Sequence, residues 1–364
     1  MVRPVLASVA GCSATVLYVA VVLPAGFGFA GDFFLSIWEP GRTYLEGSSP
    51  LSAPTVEAVT PGFAGYPPIA NVMTLPFALP PRVEASLIWT VMLAVSVFAT
   101  LKVLGIADWR CYLAAFISPA VMTGLAWGNV SLLLGLGVAC VWHWRNRAVV
   151  AGLVVGLLVA AKLFLWPLVP WLWFTGRRRA AVISGGAGIL FFLVPWAVIR
   201  FDRMTEYPRL LATITDVWGR RSVSVYAVLV NHGTSELAAQ VLLVILALAG
   251  VAAIAAARKR DATAFTLAVV VALLTTPVVW GHYFALLLVP IAILAPAFSW
   301  LWLLPLLFFP HLEIGAVTGD IRARALACTV ALLATAAALL RTANATPGST
   351  EARYTAQRRE AARP

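Results

Sequence analysis

Residues 148–176 read "AVVAGLVVGLLVAAKLFLWPLVPWLWFTG", and Lys162 is the one charged side chain in the stretch. A helix needs roughly 20 apolar residues to cross the hydrocarbon of a bilayer. This run is too long for one crossing. It reads as two short segments, 148–162 and 163–175, with Lys162 at their apex, or as one kinked or re-entrant pair. Further uncharged runs occupy 4–31, 85–101, 111–142, 180–199, 237–257, 262–281 and 283–310. Over the whole chain 61% of residues are hydrophobic, 11% are charged, and the mean hydropathy is +0.91. A soluble domain covers its surface with about 25% charged residues, so the composition excludes a soluble protein of this length.

The expected fold is all-α: a polytopic membrane protein of about twelve transmembrane helices with interfacial outer-loop helices. The crossings fall near 6–29, 84–104, 111–127, 130–144, 148–162, 163–175, 180–199, 236–257, 262–279, 282–296, 297–310 and 323–341. Gly128-Asn129, Trp280-Gly281 and Pro296 are the expected turning points inside the longer runs. The stretch 67–81 is apolar but carries prolines at 67, 68, 76, 80 and 81, and reads as a segment lying on the membrane. Residues 1–341 form one domain on this reading. Residues 342–364, rich in Ala, Thr and Arg without apolar periodicity, read as an unstructured tail. The first thirty residues resemble a signal peptide, but Arg3 alone makes a thin charged start and the apolar stretch is long, which favours a retained anchor.

Lys and Arg set the orientation. With the amino terminus inside, Arg3, Lys102, Arg110, Arg145, Arg147, Arg177–Arg179, Arg258–Arg260 and the tail arginines fall on the inner side, while most acids fall outside. The net charge of +11 is then an address for the cytoplasmic leaflet of a plasma membrane, with both termini cytoplasmic and no nucleic-acid partner. Cys12, Cys111, Cys140 and Cys328 lie in apolar runs without a CxxC pair and read as small buried residues. No metal-ligand cluster is evident, and neither a metal nor another cofactor is expected.

In a membrane chain the informative residues are the polar ones that are costly to bury. On this topology they collect on the outer side. Asp32 ends the first span, Tyr66 closes the first outer loop, Asn129 sits in an outer turn, and Lys162 and His282 sit at outer apices. Arg200, Arg203, Arg209, Arg220 and Arg221 crowd the loop 200–221. Each has a plain alternative: a solvated cap, a snorkelling lysine, an aromatic-belt histidine, a helix break, arginines on lipid phosphates. Accidents would scatter over both sides; these share one. The chemistry that suits them uses an anionic lipid. Arg and Lys hold a phosphate, a carboxylate deprotonates an attacking hydroxyl, and cationic groups stabilise the departing phosphate. That is glycosyl transfer from a polyprenyl-phosphate sugar, and the chain carries neither a GxGxxG fingerprint nor a P-loop.

The segments "GDFFLSIWEPGRTYLEGSSPL", "GYPPIANVMTLPFALPP", "WGNVSLLLGLG", "GLVVGLLVAAKLFLWPLVPWL" and "LTTPVVWGHYFALLLVP" resemble, in order, the bacterial GT-C class of polyprenyl-phosphate-sugar glycosyltransferases. That family includes the phosphatidylinositol-mannoside alpha-mannosyltransferase and an arabinofuranosyltransferase of cell-wall polysaccharides. The resemblance covers residues 31–81, 126–179 and 274–290; 200–260 and 297–364 match only in hydropathy. It implies a hexosyl, best mannosyl, donor on polyprenyl phosphate, with an arabinofuranosyl donor as the alternative, and a glycolipid or cell-envelope glycan acceptor. It also implies Asp32 as general base and Lys162 with His282 at the donor phosphate. Arg203, Arg220 and Arg221 are the candidates to complete that phosphate site; Tyr66, Asn129, Trp280 and Tyr283 are the candidates to line the substrate site. The family's usual Gly-Gln is Gly128-Asn129 here, its Ser-Pro is Thr276-Pro277, and its Asn-Gln-Ser segment is replaced by "RRSVSVYAVLVN".

Three rivals remain at this level. A transporter of lipid-linked sugars would carry polar residues through the midplane and internal repeats. A protein O-mannosyltransferase would carry a second outer acid, for which Glu39 is a poor substitute. A scaffold leaves the shared polar face unexplained.

Overall fold

Proline and glycine cut the apolar runs into helices of two lengths. The computed structural model describes residues 2–21, 29–52, 65–311 and 320–345. Every regular element among them is helical. In chain order they are α1 (Val2–Val21), then α2, a continuous run over 31–45 made of Gly31–Phe33, a π turn Phe34–Trp38 and Glu39–Leu45. There follow α3 (Pro68–Ala78), α4 (Arg82–Val103), α5 (Trp109–Phe116), α6 (Pro119–Trp127), α7 (Ser131–His143) and α8 (Ala148–Ala161). Next come α9 (Leu168–Phe174), α10 (Arg178–Val198), α11 (Tyr207–Trp218), α12 (Val225–Asn231) and α13 (Glu236–Ala256). The described chain closes with α14 (Asp261–Leu274), α15 (Leu288–Leu294) and α16 (Ile321–Ala345). Helix α16 continues through residue 345, four residues into the expected tail; the tail beyond residue 345 and residues 22–28 of the first apolar run lie outside the described residues.

Four of these, α4, α10, α13 and α16, are long and apolar enough to cross a membrane. The other expected crossings take a different form. Helices α7, α8 and α14 have only 13, 14 and 14 residues. Run 111–127 breaks at Ser118, because Pro119 can begin a helix but not continue one. Run 163–175 becomes a 3-10 turn, Leu163–Leu165, then α9 after Pro167. Runs 282–296 and 297–310 begin as 3-10 helix, Gly281–Leu287 and Trp300–His311. The stretch expected to lie flat over 67–81 is helix α3, with Pro68 in its first turn and Pro76 inside it.

The loops sort into two ends, and α4 joins them. At one end His143 Nδ1 meets the Val103 carbonyl at 3.0 Å, Arg145 and Arg177 pair with Asp261, Asp108 accepts from the Phe298 N–H, and Arg260 donates to Asn344. At the other end Tyr44 donates to the Pro195 carbonyl, Asp202 accepts from the Ser49 N–H, and the Val223 N–H reaches Val279. The sequence places the basic loops 143–148, 177–179 and 258–261 together, and the first end is where they meet.

Helix length shapes the second end. At 1.5 Å per residue, α4 is about 33 Å long and α7 about 20 Å. The two are level at Val103 and His143, so α7 starts well short of the start of α4. Trp89, inside α4, donates to the Gly128 carbonyl at 2.7 Å. The turn before α7 therefore sits about 10 Å below the start of α4. The tightest helix pair supports the same recess: α8 lies on α10 through glycines. A Cβ at Gly156 would come within 2.8 Å of the Gly188 N and the Ser184 carbonyl, the close approach that small residues allow between apolar helices. Large aromatics fill the far side, where Trp142, Trp171 and Phe265 are fully buried against one another with centroids 4.9–6.4 Å apart.

Candidate active site

Asp32 is set in place by a short chain of backbone constraints. Ala30 takes the left-handed conformation at φ 56° and donates its N–H to Ala126 at 2.9 Å. Phe33 stacks on Trp89 at 5.1 Å, and Trp89 donates to Gly128. Gly128 ends α6 at φ 68°, and a Cβ there would lie 2.8 Å from that of Phe33. Both facts require glycine. The start of α2 is thus clamped to the turn 126–129, with Asp32 facing Asn129.

The π turn in α2 has a local cause. In an α register the Ser36 carbonyl would take the N–H of residue 40, and residue 40 is proline. The buried Asn71 amide supplies the missing donor at 3.2 Å. One turn back, the Ser36 hydroxyl donates to Asp32 Oδ1 at 3.1 Å. π turns of this kind are frequent at functional sites.

Asn129 links two functions of the fold. Its Oδ1 accepts from the Ser131 N–H at 2.8 Å and the Ser131 hydroxyl at 2.6 Å, capping the start of α7. That fixes its Nδ2 as a donor, and it donates to Asp32 Oδ2 and toward the Tyr66 hydroxyl at 3.4 Å. The Tyr66 hydroxyl accepts from Lys162 Nζ at 3.1 Å, so its own hydrogen is available to Asp32, which has Tyr66 among its hydrogen-bonding neighbours. Tyr66 is held from behind, where Tyr207 at the start of α11 donates to the Gly65 carbonyl at 3.1 Å.

Lys162 follows α8 in an extended conformation and is buried between two rings, with Nζ 4.6 Å from Tyr66 and 4.2 Å from Tyr283. Cations over aromatic faces are attracted by the ring quadrupole. Phe164 stacks on Tyr283 at 5.2 Å, and the buried His282 ring lies 5.1 Å from that of Tyr283. Five residues from five separate stretches therefore converge, Asp32, Tyr66, Asn129, Lys162 and Tyr283, and His282 enters beside them as the chain neighbour of Tyr283. No ion pair joins Asp32 to Lys162 among the described residues; a hydroxyl and an amide stand between carboxylate and ammonium.

The electrostatics follow. Burial raises the Asp32 carboxyl above the ordinary carboxylate range, and Lys162 with the hydrogen bonds from Ser36, Asn129 and Tyr66 draws it part of the way back. Burial and the nearby Asp32 charge lift the Tyr66 phenol well above its ordinary value, so it remains a neutral donor and acceptor.

Trp280 packs edge-on against Trp218 at 5.9 Å. The expected arginines are engaged elsewhere. Arg203 donates to the Leu51 carbonyl and the Ser52 hydroxyl and pairs with Glu206. Arg220 pairs with Glu236, and exposed Arg221 lies over the Trp218 ring at 5.8 Å. Charge in a loop does not reveal the partner it will take. The segment 222–224 docks on the loop before His282, with the Ser224 hydroxyl on the Pro277 carbonyl at 2.7 Å. Ser36 and Asn71, absent from the candidates read in the sequence, extend the cluster: Ser36 contacts Asp32 and Asn71 contacts Ser36. The signals were there: Ser36 lies one helical turn after Asp32, and Asn71 is the one amide in an apolar stretch.

A family model, glycosyltransferase family 87, matches residues 63–280, more than half of the chain. No curated protein and no solved structure matches it.

Proposed function

The chain belongs to glycosyltransferase family 87 and is a glycosyltransferase of the membrane, and we propose that it moves a hexosyl unit, best a mannosyl unit, from a polyprenyl-phosphate donor to a glycolipid or envelope glycan. The observation that carries this reading is the spacing of one carboxylate and one ammonium by the Tyr66 hydroxyl and the Asn129 amide. A base and a phosphate-binding cation at opposite ends of one polar cluster suit a sugar phosphate whose anomeric carbon lies between them.

Asp32 takes the proton of the acceptor hydroxyl. The hydroxyl oxygen forms its bond to the anomeric carbon as the carbon–oxygen bond to phosphate breaks, and polyprenyl phosphate leaves with the electron pair. Lys162 and His282 receive the phosphate, and Arg221, which lies over Trp218 where that ring packs on Trp280, is the loop arginine assigned to assist them. Tyr66, Tyr283 and Trp280 give the sugar aromatic faces. One displacement inverts the centre, so a β-linked donor yields an α-linked product. A raised carboxyl suits a general base, because proton transfer gains as the base strengthens while remaining ionised.

The twelve-crossing arrangement, with the site outside and both termini inside, is part of the same reading. It is supported by the sorting of loops into two ends and by the basic loops meeting at the end away from Asp32. The short helices then make a floor, and the long ones a wall, around a site recessed toward the lipid.

The test is transfer in proteoliposomes. The purified chain should move labelled hexose from polyprenyl-phosphate hexose to a lipid acceptor and should not use the nucleotide sugar. Asp32→Asn should lower the rate on the order of 10²–10⁴. Near-normal transfer by that variant would remove Asp32 from the role of base. Movement of label across the membrane without a new glycosidic bond would favour a transporter.

A further inference from the structure

At the end of the bundle away from Asp32 there is a cavity of about 580 Å³ lined by Arg258, Lys259, Arg260, Thr263 and Asn344 over a floor of alanines. It opens where α13 ends, α14 begins and α16 ends. Three consecutive basic residues at one cavity call for counter-charge, and none pairs with them among the described residues. The neighbouring carboxylate, Asp261, is already occupied by Arg145 at 2.9 Å, by both terminal nitrogens of Arg177 at 2.6 and 2.8 Å, and by the Trp171 N–H at 3.1 Å. Arg260 donates to Asn344 Oδ1 at 3.0 Å, a neutral partner, and Thr263 donates to the same oxygen at 3.3 Å. Asn344 is thereby oriented with its N–H₂ group available as a further donor. Among the described residues no carboxylate pairs with Arg258, Lys259 or Arg260.

We propose that this cavity binds a phosphate-bearing anion, with two arginines and a lysine carrying the charge and the Asn344 amide and Thr263 hydroxyl providing neutral polar contacts. Its volume lies within the usual range for small-ligand sites, about 300–1,000 Å³. Guanidinium groups suit phosphate because their N–H pairs match its oxygens. The surroundings favour a lipid headgroup as the source. Helix α13 leads to the cavity, and Leu242, Val244, Ile245 and Leu248 are exposed along it. A headgroup held by Arg258–Arg260 would lay its acyl chains on that face. This is a second site, one helix length of α14 from the Asp32 cluster, and it does not depend on the proposed transfer reaction.

The experiment is native mass spectrometry and thermal unfolding of the full chain in neutral detergent, titrated with phosphatidylglycerol, phosphatidylcholine or inorganic phosphate. Phosphatidylglycerol should be retained and should raise the Tm, while phosphatidylcholine should do neither. The triple variant Arg258→Gln, Lys259→Gln, Arg260→Gln should lose phosphatidylglycerol affinity on the order of a hundredfold. The exposed inner pair provides the control, and Arg178→Gln with Arg179→Gln should bind as the wild type does. If the triple variant does not fold, Asn344→Asp is the second probe: it keeps both acceptor contacts, brings a carboxylate to the cavity and should abolish retention. A phosphate-only Tm rise that needs Arg258–Arg260 would keep the site and assign it to a soluble phosphate. Unchanged lipid retention in the triple variant or in Asn344→Asp, or equal loss in the Arg178/Arg179 control, would overturn the proposal.

Discussion

The two ends of the bundle each hold a buried or half-buried aspartate near basic residues, and they treat it in opposite ways. Asp261 is saturated. Two arginines and an indole N–H surround its carboxylate, and the arginines in turn lie over Trp142 and Trp171 at 4.0 and 5.4 Å. Asp32 meets an amide and hydroxyls, and its cation is held one residue away. The first arrangement neutralises charge and stitches α7, α9 and α14 together. The second keeps a carboxylate basic and a cation unspent. Residue type does not separate a structural ion cluster from a chemical one; what separates them is whether charge is cancelled on the spot.

The sharpest test of this contrast exchanges stability for activity. Asp32→Asn should cut transfer on the order of 10²–10⁴ with an unchanged or slightly higher Tm, since a raised carboxyl is one the fold would rather keep neutral. Asp261→Asn should do the reverse. It leaves two arginines without their partner, which for buried pairs costs about 3–5 kcal/mol, and specific activity per folded molecule should hold. If Asp32→Asn unfolds the protein, or if Asp261→Asn abolishes turnover at an unchanged Tm, the distinction between the two ends fails.

Smaller changes sharpen it. Asn71→Ala removes the donor to the Ser36 carbonyl and should cost about 1–3 kcal/mol, the usual range for an unsatisfied buried acceptor. Because Ser36 also holds Asp32, the rate should fall more than thermal unfolding alone accounts for. Tyr66→Phe deletes the hydroxyl between Lys162 and Asp32 and should slow transfer roughly tenfold, about 1.4 kcal/mol in the barrier, with the Tm nearly unmoved.

The mildest effect is in the pH profile. Asp32 is raised, so its ionised form weakens as pH falls and the acid limb of kcat/KM should lie above the ordinary carboxylate range. Folding gains nothing from ionising this group: its contribution to stability is full below the unfolded pKa and declines as pH rises through the folded one. Asp108 behaves oppositely at the other end. Hydrogen bonds from Arg110 and the Phe298 N–H hold its carboxyl well below the usual value. Its stabilisation is full above the unfolded pKa, about 3.9, and is lost as pH falls below that. Mild acid should therefore silence transfer before it loosens the fold, as parallel rate and circular dichroism titrations would reveal; loss of both together would argue against Asp32 as the titrating group.

Much of the Asp32 cluster was legible because a polar side chain in an apolar run stands out. Asp32, Tyr66, Asn129, Lys162 and His282 all stand out in this way; the structure joins the first four through hydrogen bonds and sets His282 next to Tyr283, which flanks Lys162. The arginines were not legible in the same sense. Their clustering at 200–221 was plain, but pairing of Arg203 with Glu206 and of Arg220 with Glu236 depends on how the chain folds back. Hydropathy alone predicts full-length spans. Prolines at 119 and 167 produce shorter and broken elements that hydropathy alone does not distinguish. Asn71 is harder to read, because nothing in its apolar, proline-rich stretch points to the distant Ser36 carbonyl as its partner.

Pro40 and Asn71 carry a consequence for how this protein can change over time. The proline deletes a donor and the asparagine replaces it, thirty-one positions away in the sequence. Neither can drift freely while the other stays. Substituting the proline first makes the asparagine dispensable; substituting the asparagine first leaves a carbonyl bare. Relatives should therefore have lost the two together or in that one order, and a lineage carrying the proline without the amide should have found a different donor for the same oxygen.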